Sequence, residues 1–571
     1  MRIRLLHFAV IAVFIFLAIN LAKMIIVEGD KFRDLSDKNC IRLIPQSGSR
    51  GKILDANGDM IVGSTITYDV VVLPQDRERM VRNFSVLSSV LDLSPDDLWK
   101  RFRKGFSEPS LPVTVVRDIG LDKAVLLEER KFDLDGVVVQ SDTLRFYPYG
   151  SLACHVIGYL GQIDRWRLTK LSDYGYQTKD IVGMGGIEER YDYYLRQDDG
   201  GLSVEVDHQG RFSRVLGFRP PESGKDIQLT LDLRIQKIVE SCMEGKTGAA
   251  VVLNPDTGEV LAMASFPGFD PGLFVRKNNK SVTYLFKNPD SPFLNRAISG
   301  AYPPGSVFKP VVAAAGLETG RISPATIYNC PGSLMVGRRQ FRCWGTHGDQ
   351  DLEQALAHSC DVYFYRVGLG VGPQVLHDYS LRFGLSRPTG IELPYEDPGF
   401  IPNPLWKKIY KFQKWYDGDT ANFAIGQGEV MTTPLQLARM MAVFANRGKL
   451  VTPYLVKSID GQDFSASHRK IVPLRMKSSI IANINKGLRG VVSEEEGTAN
   501  IMDDLGISVA GKTGTAQNPR GASHGWFAGF IPYDKPKYVI CVFLEHGEHG
   551  FASAVVAKRV FQQMKDRGFL K

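Results

Sequence analysis

The sequence predicts an α+β protein of several domains that is held to a membrane by one N-terminal helix. Three observations support this prediction: an apolar N-terminal run, a long middle region of short strands, and a C-terminal region whose helices lie between strands at its two ends. With 571 residues, 44% of them apolar, the chain can bury the cores of two or three domains. The net charge of +8 includes no dense block of lysine and arginine, so we expect no nucleic-acid partner.

The first 27 residues predict a membrane anchor. Residues 1–4 form a short basic tail, and residues 5–27 form a mostly apolar run that spans roughly 30 Å as a helix, enough to cross a bilayer once. Basic residues before the run and acidic residues after it predict a cytoplasmic N-terminus, with the remainder of the chain outside. A cleavable signal peptide is the alternative, because the uninterrupted apolar core from Phe8 to Ile19 is only 12 residues long. No A-x-A cleavage site follows that core, which favours a retained anchor.

Residues 28–221 predict an elongated, mostly β domain that acts as a pedestal and as a docking or dimerisation surface. The region has short strand patterns, charged loops and no motif of catalytic residues. A glycan-polymerising site would need paired carboxylates in a recognisable context, and the region has none. Pro and Gly cluster in residues 218–225, just before a strand-rich region restarts, so we place the domain boundary after residue 221.

Residues 222–571 predict a domain with an antiparallel sheet flanked by helices. The patterns that define it are, in order, strands at 249–253, at 260–263, around Lys512, around Trp526 and at 538–543, and an amphipathic helix at 553–565. We expect the first and last of these elements to share one sheet. The helices between them would then pack on the faces of that sheet.

The motif Ser306-Val-Phe-Lys309 predicts an activated serine nucleophile. A serine hydroxyl must lose its proton as it attacks, and Lys309, three residues on along a helix, can lie within reach to accept it. The turn Tyr302-Pro-Pro-Gly305 starts this helix, so the Ser306 amide lies at a helix N-terminus and is a candidate oxyanion donor. A free lysine has a pKa of about 10.4, so Lys309 needs desolvation or a neighbouring cation to act as a base.

The stretch Lys512-Thr-Gly-Thr515 predicts a strand that faces this serine. Lys512 is the candidate cation beside Lys309, and Lys512 with Thr513 would bind a substrate carboxylate. Gly514 would leave room for a substrate backbone. The Thr515 amide would be the second oxyanion donor.

The motif Ser359-Cys-Asp361 lies between the other two, 53 residues after Ser306 and 153 before Lys512. Taken singly, none of the three motifs is a strong signal, and the ordinary interpretation of the first is a serine and a lysine on a helix surface. The set S-x-x-K, S-x-[ND] and K-T-G in this order is shared by the penicillin-binding proteins and the serine β-lactamases. The chain resembles the penicillin-binding proteins.

The resemblance covers nearly the whole chain. Segments similar to the transpeptidase domain of the family are Leu229–Arg234, Asn254–Gly258, Asn295–Ala297, Gly426–Gly428 and Thr432–Gln436. Segments similar to the non-catalytic domain of its class B members are Arg50–Gly58 and Gly183–Glu189. Asp361, where division-specific members usually carry asparagine, and the segment Tyr302–Gly305 together make the elongation-specific members the most similar group.

The resemblance implies a peptidoglycan D,D-transpeptidase of the bacterial inner membrane, with its catalytic domain in the periplasm. Ser306 would attack a D-Ala-D-Ala terminus, the Ser306 and Thr515 amides would hold the oxyanion, and an amine of a neighbouring stem peptide would take the acyl group. Ser359 would relay the proton, and Asp361 would bind a substrate amide or hold Lys309. β-Lactams would leave a stable acyl-serine. The implied partners are a RodA-like membrane glycosyltransferase and the elongation complex.

Three alternative functions stay open. The chain could be a division-specific transpeptidase of the same class. It could be a β-lactam sensor or hydrolase, which would need a water-activating group to deacylate Ser306 quickly. It could also be mainly a structural activator of a membrane glycan polymerase.

Four potential metal ligands predict a structural zinc site. They are Cys330, Cys343, His347 and Cys360, and three thiols with one imidazole make a complete tetrahedral set. Cys360 lies inside the second motif, so a metal there would fix the loop that presents Ser359. The alternative is a Cys330–Cys343 disulfide, which an extracytoplasmic chain can form. No cofactor is needed for the acyl-transfer chemistry itself.

Overall fold

The computed structural model describes residues 2–31, 41–46, 48–106, 112–178, 180–206, 212–276, 279–519 and 521–570. The chain forms two compact units that alternate along the sequence. The first comprises Met1–Gly51, Ser64–Leu144 and Arg196–Gly224, and the second comprises Lys52–Gly63, Arg145–Leu195 and Lys225–Lys571. Two segments that precede residue 221 therefore fold with the C-terminal region.

The first unit begins with the N-terminal helix, Arg2–Ala22, which continues as a π-helical turn over Lys23–Val27. The stretch Leu6–Val27 has a mean hydropathy of 2.7 and is long enough to cross a membrane. Among the described residues it is the single helix with that length and composition. The expected apolar run therefore forms one continuous helical segment.

The remainder of the first unit combines strands with three helices. Its antiparallel three-stranded sheet contains Ile41–Gln46, Gly200–Val206 and Phe212–Arg219. Its other strands are most of Met60–Val72, Val113–Val116 and most of Val137–Phe146. Its helices are Arg77–Leu91, Pro95–Gly105 and Gly120–Glu129, and they share a core with the strands around Phe84 and Leu98. Helix content in this unit is higher than the sequence patterns indicate.

The second unit is built on a five-stranded antiparallel sheet, the central sheet. Its strands, in spatial order, are Val260–Phe266, Gly248–Leu253, Tyr538–Leu544, His524–Ile531 and Ala510–Ala516. The first and last strand regions of the domain thus share one sheet, as the sequence predicts. Ala510–Ala516 is the edge strand, and it carries the third motif.

Helices cover both faces of the central sheet because its side chains alternate between two cores. Val252, Phe527 and Val542 pack with helices Leu233–Met243 and Gly550–Asp566. On the other face lie the helices Lys309–Glu318, Leu352–Ala357, Asp361–Val371, Pro373–Arg382, Asp417–Ala424, Pro434–Ala445 and Ser478–Ser493. The expected flanked sheet is confirmed.

Smaller elements complete the second unit. Its paired strands outside the central sheet are Tyr159–Gln162 with Ile181–Met184, Tyr328–Cys330 with Gly348–Gln350, Ser333–Val336 with Arg339–Arg342, Lys449–Val451 with Ile471–Pro473, and Ile227–Leu229 with Ile53–Leu54 and Val456–Ile459, the last of which also pairs with Gln462–Asp463. Its shorter helices are Cys154–Ile157, Arg165–Leu171, Gly186–Arg190, Asp192–Leu195, Gly272–Val275, Asn279–Lys287, Pro404–Tyr410 and Ser465–His468. Its 3-10 turns are Ser172–Tyr174, Gly305–Phe308 and Asn500–Leu505.

Candidate active site

Ser306 lies in the 3-10 turn Gly305–Phe308, which leads directly into helix Lys309–Glu318. In a 3-10 turn the side chains at positions i and i+3 eclipse, so Ser306 and Lys309 project on the same side. Gly305 has a φ of +54°, and its amide donates to the Gly426 carbonyl at 2.9 Å. The helix start near Ser306 is confirmed, with a first turn that is tighter than an α-helix.

Lys309 is fully buried and joins the first motif to the second. Its Nζ donates to the Ser359 carbonyl at 2.7 Å, to Ser359 Oγ at 3.2 Å and to Asp361 Oδ1 at 2.7 Å. These three acceptors match the three protons of an ammonium group. In the described part of the chain, no hydrogen bond joins Lys309 Nζ to Ser306, so the direct contact that the helical spacing suggests is not formed.

Asp361 is the counter-ion of Lys309. Burial raises the pKa of Asp361, and the positive charge of Lys309 opposes that rise. Of the two roles that the sequence leaves open for Asp361, holding Lys309 is the contact that is present. Ser359, two residues earlier, has a φ of +55°. A non-glycine residue in this left-handed region is strained, and such strain often accompanies functional sites.

The third motif packs directly against the turn that carries Ser306. A Cβ atom on Gly514 would lie 2.8 Å from the Pro304 carbonyl oxygen, which is too close for any larger residue. The glycine is therefore required by the approach of the enzyme's own backbone, whereas the sequence predicts that it admits a substrate backbone. Because Gly514 packs closely on this turn, the neighbouring Thr515 amide lies near Ser306.

Lys512 lies fully buried in the edge strand and donates to the Thr513 carbonyl at 3.2 Å. Burial lowers its pKa well below the usual lysine value, the charge of Lys309 lowers it further, and Asp361 acts in the opposite direction. The charge of Lys309 therefore acts on Lys512, whereas the predicted effect of Lys512 on Lys309 as a base stays a prediction. Thr513 Oγ1 lies 2.6 Å from Thr498 Oγ1, so a second threonine helps to fix this strand.

Three residues outside the motifs support the site through hydrogen bonds. Gln427 Nε2 donates to the Thr515 carbonyl at 3.0 Å, and the Gly550 amide donates to Thr515 Oγ1 at 3.1 Å. Trp344 Nε1 donates to the Ser359 carbonyl at 3.3 Å. Gln427 lies in one of the family-like segments, whereas nothing in the sequence pattern identifies Trp344 or Gly550.

The four predicted metal ligands come together in space. The ligand atoms of Cys330, Cys343, His347 and Cys360 all lie within 4.8 Å of one another. His347 Nδ1 is 3.5 Å from the sulfur atoms of both Cys330 and Cys343, while its buried Nε2 has no hydrogen-bond partner among the described residues. The described cysteines are free thiols. The donor set and its spacing therefore fit a thiolate-rich tetrahedral metal.

The cysteine cluster touches the catalytic motif. The Asp361 amide donates to Cys343 Sγ at 3.2 Å, and the Tyr363 amide donates to Cys360 Sγ at 3.5 Å. A hydrogen bond from Cys360 lowers the pKa of Cys343. The Cys360 side chain is fully buried within this cluster.

Comparisons with known proteins agree with this geometry. The family model for the penicillin-binding protein transpeptidase domain matches residues 248–565, and the model for the penicillin-binding protein dimerisation domain matches residues 45–229. The peptidoglycan D,D-transpeptidase MrdA of Acinetobacter baumannii is 33% identical over 97% of this chain and 85% of its own length.

Two solved structures are similar over almost the whole chain. Penicillin-binding protein 2 of Helicobacter pylori, in its complex with MreC, has a TM-score of 0.81 and 29% identity, covering 93% of this chain and 99% of its own. A chain of a peptidoglycan synthase complex that coordinates polymerization and crosslinking has a TM-score of 0.75 and 29% identity, covering 99% of this chain and 98% of its own. The chain therefore belongs to the penicillin-binding protein family of serine transpeptidases, in its class B with a dimerisation domain, and it is most similar to penicillin-binding protein 2.

Proposed function

We propose that this protein is a peptidoglycan D,D-transpeptidase that cross-links stem peptides during cell-wall elongation. The observation that carries the proposal is the convergence of the three motifs: Lys309 bonds to Ser359 and Asp361, and Gly514 packs on the Ser306 turn. Similarity to MrdA and to penicillin-binding protein 2 supports the elongation role.

The acylation step uses Ser306 and Lys309. Ser306 Oγ attacks the carbonyl carbon of the penultimate D-Ala, and its proton passes to the amine group of Lys309, directly or through Ser359. The oxyanion is held by the Ser306 and Thr515 amides. The bond to the terminal D-Ala then breaks, and the departing amine takes up the proton through Ser359.

The remaining residues position the two reactants. Lys512 and Thr513 bind the terminal carboxylate of the donor peptide, which is expelled with D-Ala. Asp361 fixes Lys309 between the motifs. An acceptor amine then attacks the acyl-enzyme and loses its proton to Lys309. The ester bond to Ser306 Oγ breaks, and Lys309 returns the proton to that oxygen, which restores the serine. A β-lactam follows the first step, but its leaving group remains attached.

The experiment supplies un-cross-linked glycan strands with pentapeptide stems to the full-length protein and measures released D-Ala and cross-linked muropeptides. We expect both products from wild type and neither from Ser306→Ala. Released D-Ala without cross-links would identify a carboxypeptidase or hydrolase. Normal cross-linking by Ser306→Ala would contradict the assignment of the nucleophile.

The same proposal covers localisation and partners. The helix over Leu6–Val27 anchors the protein in the bacterial inner membrane, with its N-terminus in the cytoplasm and its catalytic domain in the periplasm. Partners are a RodA-like glycan polymerase and the elongation complex. Two similar structures support this assignment. Penicillin-binding protein 2 of Helicobacter pylori was solved in complex with MreC, and the peptidoglycan synthase complex coordinates polymerization and crosslinking.

We also propose that Cys330, Cys343, His347 and Cys360 hold a structural zinc ion. Zinc would add no catalytic chemistry here. When bound, it would neutralise the thiolates and fix the segment that leads into Ser359 and Asp361. The support is the meeting of three thiols and one imidazole, with His347 Nδ1 3.5 Å from two of the three sulfur atoms.

Metal analysis of the purified protein tests this site. We expect about one zinc per chain in wild type and almost none in Cys330→Ser/Cys343→Ser. Because the Asp361 amide bonds to Cys343, the double variant is expected to lose about 10- to 100-fold in its rate of acylation by benzylpenicillin. Cys541→Ser, a buried cysteine outside the cluster, serves as the control. A Cys330–Cys343 disulfide without zinc would overturn the proposal.

A further inference from the structure

Two exposed segments of the second unit lie side by side next to the active site. The arginine hairpin comprises residues 333–342, and the lysine segment comprises residues 404–416. They meet at Gly418, just after the lysine segment, where a Cβ atom would lie 3.1 Å from the Phe341 ring. Phe341 is buried. The arginine hairpin therefore packs against a residue two positions after the lysine segment, and the two segments are neighbours on the surface.

The arginine hairpin presents unpaired positive charge. Arg338, Arg339 and Arg342 are exposed, and none forms an ion pair with a described residue. No acidic residue occurs in residues 333–344. Just beyond the hairpin, Trp344 is 64% exposed, yet its indole nitrogen donates to the Ser359 carbonyl. The hairpin is therefore followed, two residues later, by a side chain that contacts the motif containing Ser359.

The lysine segment interleaves cations with exposed apolar side chains. Its lysines are Lys407, Lys408, Lys411 and Lys414, and its exposed apolar residues are Leu405, Ile409, Tyr410, Phe412 and Tyr416. Phe412 is 89% exposed. Lys408 and Lys414 lack an acidic partner among the described residues, so they can meet an external carboxylate.

The lysine segment is also tied to the catalytic cleft. Lys411 pairs with Glu429 at 3.1 Å, and Gln427, two residues earlier, bonds to the Thr515 carbonyl. Trp415, near the end of the segment, packs on Phe423 with 6.4 Å between ring centroids. The surface thus borders the cleft next to Thr515 as well as next to Ser359.

We propose that the arginine hairpin and the lysine segment bind the peptidoglycan strand whose stem peptide enters the catalytic cleft. This inference rests on the proposed function. The carboxylates of stem peptides would pair with the guanidinium and ammonium groups, and the apolar faces of the sugar rings would pack on the exposed aromatic rings. A small ligand such as benzylpenicillin reaches only the cleft and needs neither segment.

A membrane surface would also attract cations interleaved with aromatic residues. The continuity of the surface with the cleft favours a strand, because the strand's own stem peptide must reach Ser306. The two candidate occupants differ in chemistry, so one binding experiment separates them.

The test uses the full-length protein and three variants that alter exposed side chains. Arg338→Glu/Lys408→Glu removes one cation from each segment, and Tyr410→Ala/Phe412→Ala removes two rings. Lys535→Glu/Lys537→Glu is the control, because it changes the net charge by the same amount as the first variant. It alters the turn between strands His524–Ile531 and Tyr538–Leu544, at the end of the sheet away from Thr515. Binding is measured with soluble, un-cross-linked glycan strands that carry pentapeptide stems, and with anionic phospholipid vesicles.

We expect each of the first two variants to weaken strand binding by about tenfold or more, and the control to leave it unchanged. The rate of acylation by benzylpenicillin should stay within about twofold of wild type in all three. Unchanged strand binding in both test variants would overturn the proposal, as would a loss seen only with vesicles. A failure of the proposed function would appear separately, as wild type that forms no cross-links.

Discussion

The Lys309→Met variant is expected to react with benzylpenicillin about 10³-fold more slowly than wild type. Lys309 is the buried lysine that bonds to Ser359 and Asp361. Methionine keeps the apolar stem but cannot accept the Ser306 proton or hold the two motifs together. The measurement is the rate at which the mass of the acyl-enzyme appears in samples that are quenched at successive times after benzylpenicillin is added.

The control for this prediction is Lys535→Met, which changes an exposed lysine in the same way. Zinc content and a cooperative thermal unfolding transition should show that Lys309→Met is folded, although the loss of the counter-ion of Asp361 lowers its unfolding temperature. Acylation of Lys309→Met within about tenfold of wild type would mean that another group takes the serine proton.

The Lys512→Met variant is expected to lose about 10²-fold in acylation rate and to unfold at a higher temperature than wild type. Lys512 is fully buried, and its pKa is lowered because burial and Lys309 both disfavour its charge. A methionine of similar length removes this cost, but it cannot bind the carboxylate of a penicillin or a stem peptide. Acylation kinetics test the expected loss of rate, and differential scanning calorimetry tests the expected rise in unfolding temperature.

The stability effect of Lys512 has a definite dependence on pH. Its pKa is lowered in the folded state, so above that lowered value and below the ordinary lysine pKa of about 10.4 the unfolded chain binds more protons. Stability from this group therefore rises as the pH rises through that window. Urea unfolding at several pH values should show a smaller rise for Lys512→Met, and an unchanged rise would contradict the assignment.

Much of the catalytic domain could be predicted from sequence because its signals are local. The apolar runs in Ala249–Leu253 and Tyr538–Phe543 identify strands, and the turn at Tyr302–Gly305 identifies the start of the Ser306 helix. The metal ligands could be proposed from their types and spacing alone, because the donor set is distinctive. In each case the residues that carry the signal are neighbours along the chain.

The contacts within the site could not be predicted in the same way because they join distant segments. The sequence suggests a bond from Ser306 to Lys309, but the partners of Lys309 lie far along the chain, as in its ion pair with Asp361 at a separation of 52 residues. The sequence also predicts that Gly514 faces substrate, and its neighbour is the Pro304 carbonyl instead. Tertiary packing determines both the partners of Lys309 and the neighbour of Gly514.

The surface next to the cleft illustrates the same limit. Along the sequence, the arginines of residues 333–342 and the lysines of residues 404–416 are separate and do not form a dense charged block. Folding brings the two segments together through Phe341 and Gly418. The segments of the two compact units also alternate along the chain. No local change in composition marks the points where the chain passes from one unit to the other.

The most direct test of the central claim, that Ser306 is the acylated nucleophile, is the intact-protein mass after incubation with benzylpenicillin. We expect one adduct on wild type that persists for hours and none on Ser306→Ala. An adduct that disappears within minutes would indicate a hydrolase. An equal adduct on Ser306→Ala would show that the nucleophile is another residue and would contradict the account.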